Sequence, residues 1–195
     1  MDCGAAGEEG VTMESPHWIH GLIVRNASRV LGFDIDGDAV KELNKKGYNV
    51  IYGDCENLKL DTNERFDVIF AGEIIEHLTK PGNFLEGVKK YLKKDGYLIL
   101  TTPNAFSFFR GIGNVIDAND ENPQHVLVQN KKTLEQLLRR HSYEALEIHY
   151  FTTPAFYEFK RMQKLRKLLK IPMEILCGLR PQLAHQLIVI AKKVK

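Results

Sequence analysis

Two carboxylates and two histidines stand where a single site could use them. Glu73, Glu76 and His77 lie together in Glu73-Ile74-Ile75-Glu76-His77-Leu78, and His125 follows in Asn122-Pro123-Gln124-His125-Val126. If 73–78 is helical, Glu73 meets Glu76 at i+3 and His77 at i+4, so the three share a face. Three uses fit these residue types. His77 or His125 can take the proton of a hydroxyl, because an unperturbed imidazole titrates at about 6.5. The set Glu73, Glu76, His77 and His125 can instead hold a divalent cation that acidifies and orients that hydroxyl. In the third use Glu73 borders a bound ligand or caps the helix, Glu76 is solvated and His77 packs. We assign His77, His125 and Glu73 as the catalytic candidates with no metal; the four residues together are the set a metal would use.

A second group suits ligand binding rather than proton transfer. Asp2-Cys3-Gly4-Ala5-Ala6-Gly7 is an acidic, glycine-rich turn, and Gly32-Phe33-Asp34-Ile35-Asp36 ends an apolar run on carboxylates. Glycines let a backbone approach a ligand, and a carboxylate ending a strand accepts bonds from ribose hydroxyls. Turn, helix and acidic strand end, in that order, point to a nucleoside-bearing cofactor at the edge of a parallel sheet. Asp34 could also act as a helix cap or turn residue, and Asp54, in Gly53-Asp54, as ordinary turn chemistry. A dinucleotide-dependent oxidoreductase fits less well, because its three-glycine spacing is not met.

The elements that would position these groups alternate. A helix is expected over 15–27, with Ser15 as cap, Pro16 in the first turn, and Trp18, Ile19, Leu22 and Ile23 on one face. Strand 29–35, helix 38–46 and strand 49–52 follow. Residues 66–71 and 97–102 read as buried strands from their near-continuous apolar character. Between them come a helical turn over 73–78 and an amphipathic helix over 83–93. A helix over 131–141 is capped by Asn130. Residues 145–151 and 186–192 are strands that could pair antiparallel at the sheet edge. Alternating strands and helices imply an α/β fold, a parallel sheet with helices on both faces.

Composition sets outer bounds. The chain has 195 residues, 44% hydrophobic and 27% charged, with a net charge of +2. That describes one globular domain and favours no particular partner. Cys3, Cys55 and Cys177 are too far apart for a disulfide framework or a zinc pattern, so a reducing cytoplasm is the expected setting. No apolar run reaches the ~18 residues of a spanning helix.

With these elements in order, the chain resembles the class I S-adenosylmethionine-dependent methyltransferases. The resemblance is to the small-molecule group that carries "EHL" after the fourth strand and "TPN" after the fifth. Its carriers are the turn from Asp2 to Gly7, Gly32-Phe33-Asp34-Ile35-Asp36, Gly53-Asp54, Phe66-Asp67-Val68-Ile69, Glu73 to Leu78, and Thr102-Pro103-Asn104. It implies a doubly wound, mostly parallel, seven-stranded Rossmann-like sheet and S-adenosyl-L-methionine as cofactor. Asp2, Gly4 and Gly7 would cradle its methionine end, Asp34 would take the ribose hydroxyls, Ile35 would lie against the adenine, and Asp54 would accept from the adenine amino group with the Cys55 backbone beside it. Ala6 stands where the family usually has a second glycine. The family's first strand is reduced here to Met1-Asp2, which leads us to expect further residues upstream. The Glu-x-x-Glu-His pattern with a distant His is similar to Mg²⁺-dependent methyltransferases acting on the 2′-hydroxyl of RNA 3′ ends.

The expected reaction is methyl transfer to a small-molecule acceptor rather than to a nucleic acid, since the chain has neither an accessory RNA module nor a globally basic surface. Oxygen is the favoured nucleophile. A non-catalytic binding or scaffold domain with a degenerate cofactor turn is the alternative. Residues 106–116 are apolar with Gly111 and Gly113, and read either as a mobile cover or as a helix packed on the sheet. The segment 155–180 reads as a helical insertion within a single domain, 1–195. Its cations Lys160, Arg161, Lys164, Arg166, Lys167 and Lys170 alternate with apolar residues. It could face an anionic membrane, guide an apolar or lipid-linked acceptor, or pack as a surface helix.

Overall fold

The computed structural model describes residues 1–7, 15, 17–61, 63–115, 122–153 and 167–194. Glu8, Pro16, most of the polar loop over 117–124 and the first half of the 155–180 insertion lie outside the described residues.

Strands β1 (Asp2–Cys3), β2 (Gly32–Asp34), β3 (Val50–Tyr52), β4 (Phe66–Gly72), β5 (Leu92–Pro103), β6 (Tyr143–Phe151) and β7 (Gln186–Lys193) form one sheet in the order β3-β2-β1-β4-β5-β7-β6. β1 to β5 are parallel; β7 enters between β5 and β6 and runs antiparallel to both. This is the doubly wound sheet expected. The two-residue β1 still fills the centre, with Asp2 opposite Gly32 on one side and Phe70 on the other.

The apolar runs in β4, β5 and β7 become the core. Ile69, Leu98, Leu100, Leu187 and Val189 are fully buried and meet Phe84, Leu85 and Val88 of α3 (Pro81–Tyr91) and Leu134 and Leu138 of α5 (Lys131–Arg140). Ala5, Trp18, Val40, Leu43 and Val50 make a second cluster beneath α2 (Gly37–Lys45). α2 is started by Asp36, whose carboxylate accepts from the amides of Asp38 and Ala39.

Asn130 caps α5 as expected. Its side chain accepts from the Thr133 amide while Thr133 Oγ1 accepts from the Asn130 amide, a reciprocal box. Asn130→Ala should cost about 1 kcal/mol, a loss of roughly 2–4 °C in thermal melting for a chain of this size. A scan by circular dichroism checks it.

Two expected helices differ. α1 spans Ile19–Asn26 rather than 15–27; Trp18 is its N-cap position, and the Ser15 hydroxyl accepts only from the His17 amide. Its inward residues are His20 and Gly21, while Ile19 and Leu22 are exposed. Over 73–78 there is no α-helix. Glu73 sits in left-handed backbone at φ 52°, with its amide donating to Thr101 O and Oγ1, and only a 3₁₀ turn, Ile75–His77, follows. The i, i+3, i+4 face proposed for Glu73, Glu76 and His77 therefore does not form.

Candidate active site

At the carboxyl edge of β1 and β2 the glycine-rich turn is built against Asp34. Gly4 and Gly7 hold φ of 81° and 82°, values that side chains disfavour. The Gly4 amide donates to Phe33 O, and the Gly7 amide donates to Gly4 O, closing the turn. The Asp34 carboxylate then clamps it: Oδ2 accepts from the Ala6 amide at 2.8 Å and Oδ1 from the Asp36 amide at 2.9 Å. Asp34 is thus a turn residue, one of its two expected roles. Both bonds leave lone pairs for a ligand hydroxyl, since each carboxylate oxygen can accept more than one bond. Ile35 beside it is 65% exposed, as a residue waiting for an adenine face would be. Asp54 is exposed and caps the 3₁₀ turn Cys55–Asn57 by accepting from the Glu56 amide; the Cys55 side chain packs against the main core. Positive-φ glycines without side chains, a clamped carboxylate and an uncovered Ile35 fit a nucleoside cofactor.

Asp2 points elsewhere. It is buried, and its Oδ2 lies 2.7 Å from His20 Nδ1 on α1. Burial pushes the Asp2 carboxyl up, and the hydrogen bond to His20 pulls against that. His20 in turn stacks among Trp18 and Tyr48, and the Trp18 indole donates to Ala5 O at 2.9 Å. The turn is therefore braced from below by α1. The sequence reading missed His20; the signal available was a buried central-strand Asp2, which demands a partner.

The second part of the site begins at Ile74, whose Cδ1 lies 2.7 Å from where a Gly4 Cβ would stand. The 73–77 segment thus abuts the glycine turn directly. Glu76 O accepts the amides of Val126 and Leu127 at 2.8 and 3.0 Å, which fastens the His125 segment over the 3₁₀ turn. The His77 and His125 rings meet at 4.7 Å between centroids, nearly perpendicular. Burial first, and the neighbouring His125 second, hold the His77 imidazole below its usual range, opposed by a bond with the Gln124 backbone. His77 is accordingly neutral at pH 7.

Glu76, solvated in one of the three uses above and a cation ligand in another, is buried. Its carboxyl is pushed up to about 9 by burial and then by the charge of Glu73. Thr102 and Glu73 are its polar neighbours, yet neither Glu76 oxygen makes a well-formed hydrogen bond among the described residues. Ligand atoms of Glu76, His77 and His125 lie within 4.8 Å of one another, close enough for one cation; Glu73 is outside that group.

Asn104, at the end of β5, ties the opposite wall. Its amide nitrogen donates to Gln182 O and Ala184 O, its Oδ1 accepts from the Phe106 amide, and it bridges to Gln129. Residues 106–116 give α4 (Phe108–Val115), which packs through Phe108 and Phe109 on α6 (Lys170–Leu179). Phe106, Val126 and Val128 remain exposed around this wall.

Residues 17–148 match the family described as Methyltransferase domain. A ubiquinone biosynthesis O-methyltransferase of Bradyrhizobium sp. (strain ORS 278) is 33% identical over 84 residues, covering 41% of this chain and 33% of that one. A probable S-adenosylmethionine-dependent methyltransferase of Mycolicibacterium smegmatis is 27% identical over 125 residues, 63% of this chain and 46% of its own. The chain therefore spans less than half the length of these curated relatives. Among solved structures, a SAM-dependent methyltransferase from Archaeoglobus fulgidus superposes with a TM-score of 0.65 at 19% identity, covering 98% of this chain and 84% of that one. The family match spans β2 to β6 and the chemistry-bearing turn between β4 and α3, and on that ground the chain belongs to the methyltransferase-domain family with the class I S-adenosylmethionine-dependent fold.

Proposed function

We propose that the chain transfers a methyl group from S-adenosylmethionine to a hydroxyl oxygen of a small, apolar acceptor. The contact of Ile74 with Gly4 carries this reading, because it sets the His77–His125 pair beside the turn that would hold the cofactor. When bound, the cofactor supplies the methyl group and a thioether leaving group. The residues of the chain do the rest. The neutral imidazole of His77 would accept the proton of the acceptor hydroxyl, and His125 would orient the same hydroxyl. The exposed Phe106, Val126 and Val128 favour an acceptor with an apolar body. The relatives named as ubiquinone biosynthesis O-methyltransferases support oxygen as the nucleophile.

The test is transfer of radiolabelled methyl to a panel of phenols, alcohols and amines across pH. We expect label in an ether, an acid limb of kcat/KM below the ordinary histidine value of about 6.5, and a loss of roughly 10²–10⁴ in kcat for His77→Ala. Label in amines alone would overturn oxygen as the nucleophile, and a protein that binds S-adenosylhomocysteine but labels nothing in the panel would leave the scaffold reading in its place.

A second reading has its own observation. Glu76, His77 and His125 are grouped tightly enough to hold a divalent cation, which would acidify the hydroxyl in place of a general base. Calorimetric titration of chelator-treated protein with Mg²⁺, Mn²⁺ and Zn²⁺ separates the two, and absent heat with all three removes the metal.

A further inference from the structure

α6 is apolar on two opposite sides. Met173, Leu176 and Cys177 face α4 and pack with Phe108 and Phe109. On the other side Ile171, Ile175 and Leu179 follow at helical spacing, each between 61% and 74% exposed, and Leu168, 75% exposed, stands just before the helix. Scattered exposed aliphatics are ordinary; a stripe of three on one helix, with a fourth just before its cap, is not. A helix apolar all round is normally covered all round. No described helix is long and apolar enough to cross a membrane, so α6 lies on a surface rather than spanning one.

The charges beside the stripe choose the occupant. Lys167 and Lys170 precede or open the helix and Arg180 ends it, against the single Glu174. The sequence immediately before, 160–166, adds Lys160, Arg161, Lys164 and Arg166 and no acid. Two copies meeting through this stripe would bring like charges together, whereas an anionic bilayer offers both an apolar layer and opposite charge. We infer that the Ile171–Ile175–Leu179 stripe of α6, with Leu168 just before it, docks on an anionic lipid surface, with the flanking cations at the headgroups.

The placement has a consequence for the site, and this part rests on the methyl-transfer reading. The turn after α6, Pro181–Leu183, is bonded through Gln182 O and Ala184 O to Asn104 at the end of β5. Docking would therefore bring the exposed Phe106 close to the lipid, where an apolar acceptor dissolves.

Sedimentation with vesicles of phosphatidylcholine alone, or with phosphatidylglycerol added, tests the docking without any acceptor. The full chain should pellet with the anionic vesicles, less so as salt rises, and stay in solution with the neutral ones. Ile171→Glu together with Ile175→Glu should weaken the partition by about tenfold or more. S-adenosylhomocysteine titration of the same variant reports whether it remains folded, independently of lipid. A chain that stays in solution with anionic vesicles overturns the inference. So does a concentration-dependent dimer by light scattering that the double variant abolishes, since a second copy then covers the stripe. Pelleting that the folded double variant retains overturns it as well.

Discussion

Asp34→Ala is expected to lower the affinity for S-adenosylhomocysteine at least a hundredfold, read by isothermal titration. Asp34 does two things in one carboxylate. It holds the Ala6 and Asp36 amides, and so the shape of the glycine turn, and it keeps lone pairs for ribose. Hydrogen bonds to a charged group are worth about 1.5–3 kcal/mol each, and a hundredfold is about 2.8 kcal/mol, so the loss of two suffices. Asp34→Asn should fall between, because an amide can accept one of the two backbone donors but meets the other with its own N–H. Unchanged binding in Asp34→Ala would place the cofactor away from this turn and remove the basis of the proposed activity. The alanine protein should also melt lower, since two amides lose their acceptor, so the titration belongs at a temperature where both proteins are folded.

The second large effect concerns Glu76 and pH. Folding raises this carboxyl from about 4.5 to about 9. Between those values the folded chain holds a proton that the unfolded chain has released. Stability from this group is therefore full below pH 4.5 and is lost as pH rises toward 9. At about 1.4 kcal/mol for each pH unit of that window, several kcal/mol are at stake. Glu76→Gln cannot ionise, and at pH 8 it should melt roughly 10–20 °C above the natural sequence. His77 opposes this slope only below about pH 6.5, where its lowered pKa leaves the folded chain short of a proton. Parallel melting curves for the two proteins from pH 5 to 9 would show that Glu76 is ionised or paired in the folded state. If a cation binds here, it must displace the Glu76 proton, so its affinity should rise with pH and vanish in Glu76→Gln.

Much of the sheet was legible because its signals are local. Phe66 to Ala71 and Tyr97 to Thr102 read as strands from their apolar runs, Asn130 advertised its cap, and the two closing strands pair antiparallel at the sheet edge across the insertion between them. The place of Asp34 beside the glycine turn was legible as one of its two readings, a turn residue accepting nearby amides. What failed was set by partners distant in sequence. The 73–78 segment has helical periodicity, but Thr101 on β5 captures the Glu73 amide and the backbone turns left-handed instead. The apolar pattern of α1 suggested that Ile19 and Leu22 face inward. Asp2, buried in the central strand, draws His20 in and turns them out. The sequence left Glu76 open between a solvated acid and a cation ligand, and only the fold shows that Val126 and Leu127 close over its backbone.

The position of β7 also governs the order in which the molecule can be made. β6 touches the sheet only through β7, and β5 has its outer neighbour only when β7 arrives. During synthesis β1 to β5 can assemble as a parallel half while residues 143–151 emerge with no strand to receive them. α5 and β6 then wait until residues 186–193 leave the ribosome and slip between two strands already made. A nascent chain arrested before that point should expose the outer edge of β5 and bind chaperones that recognise open strands.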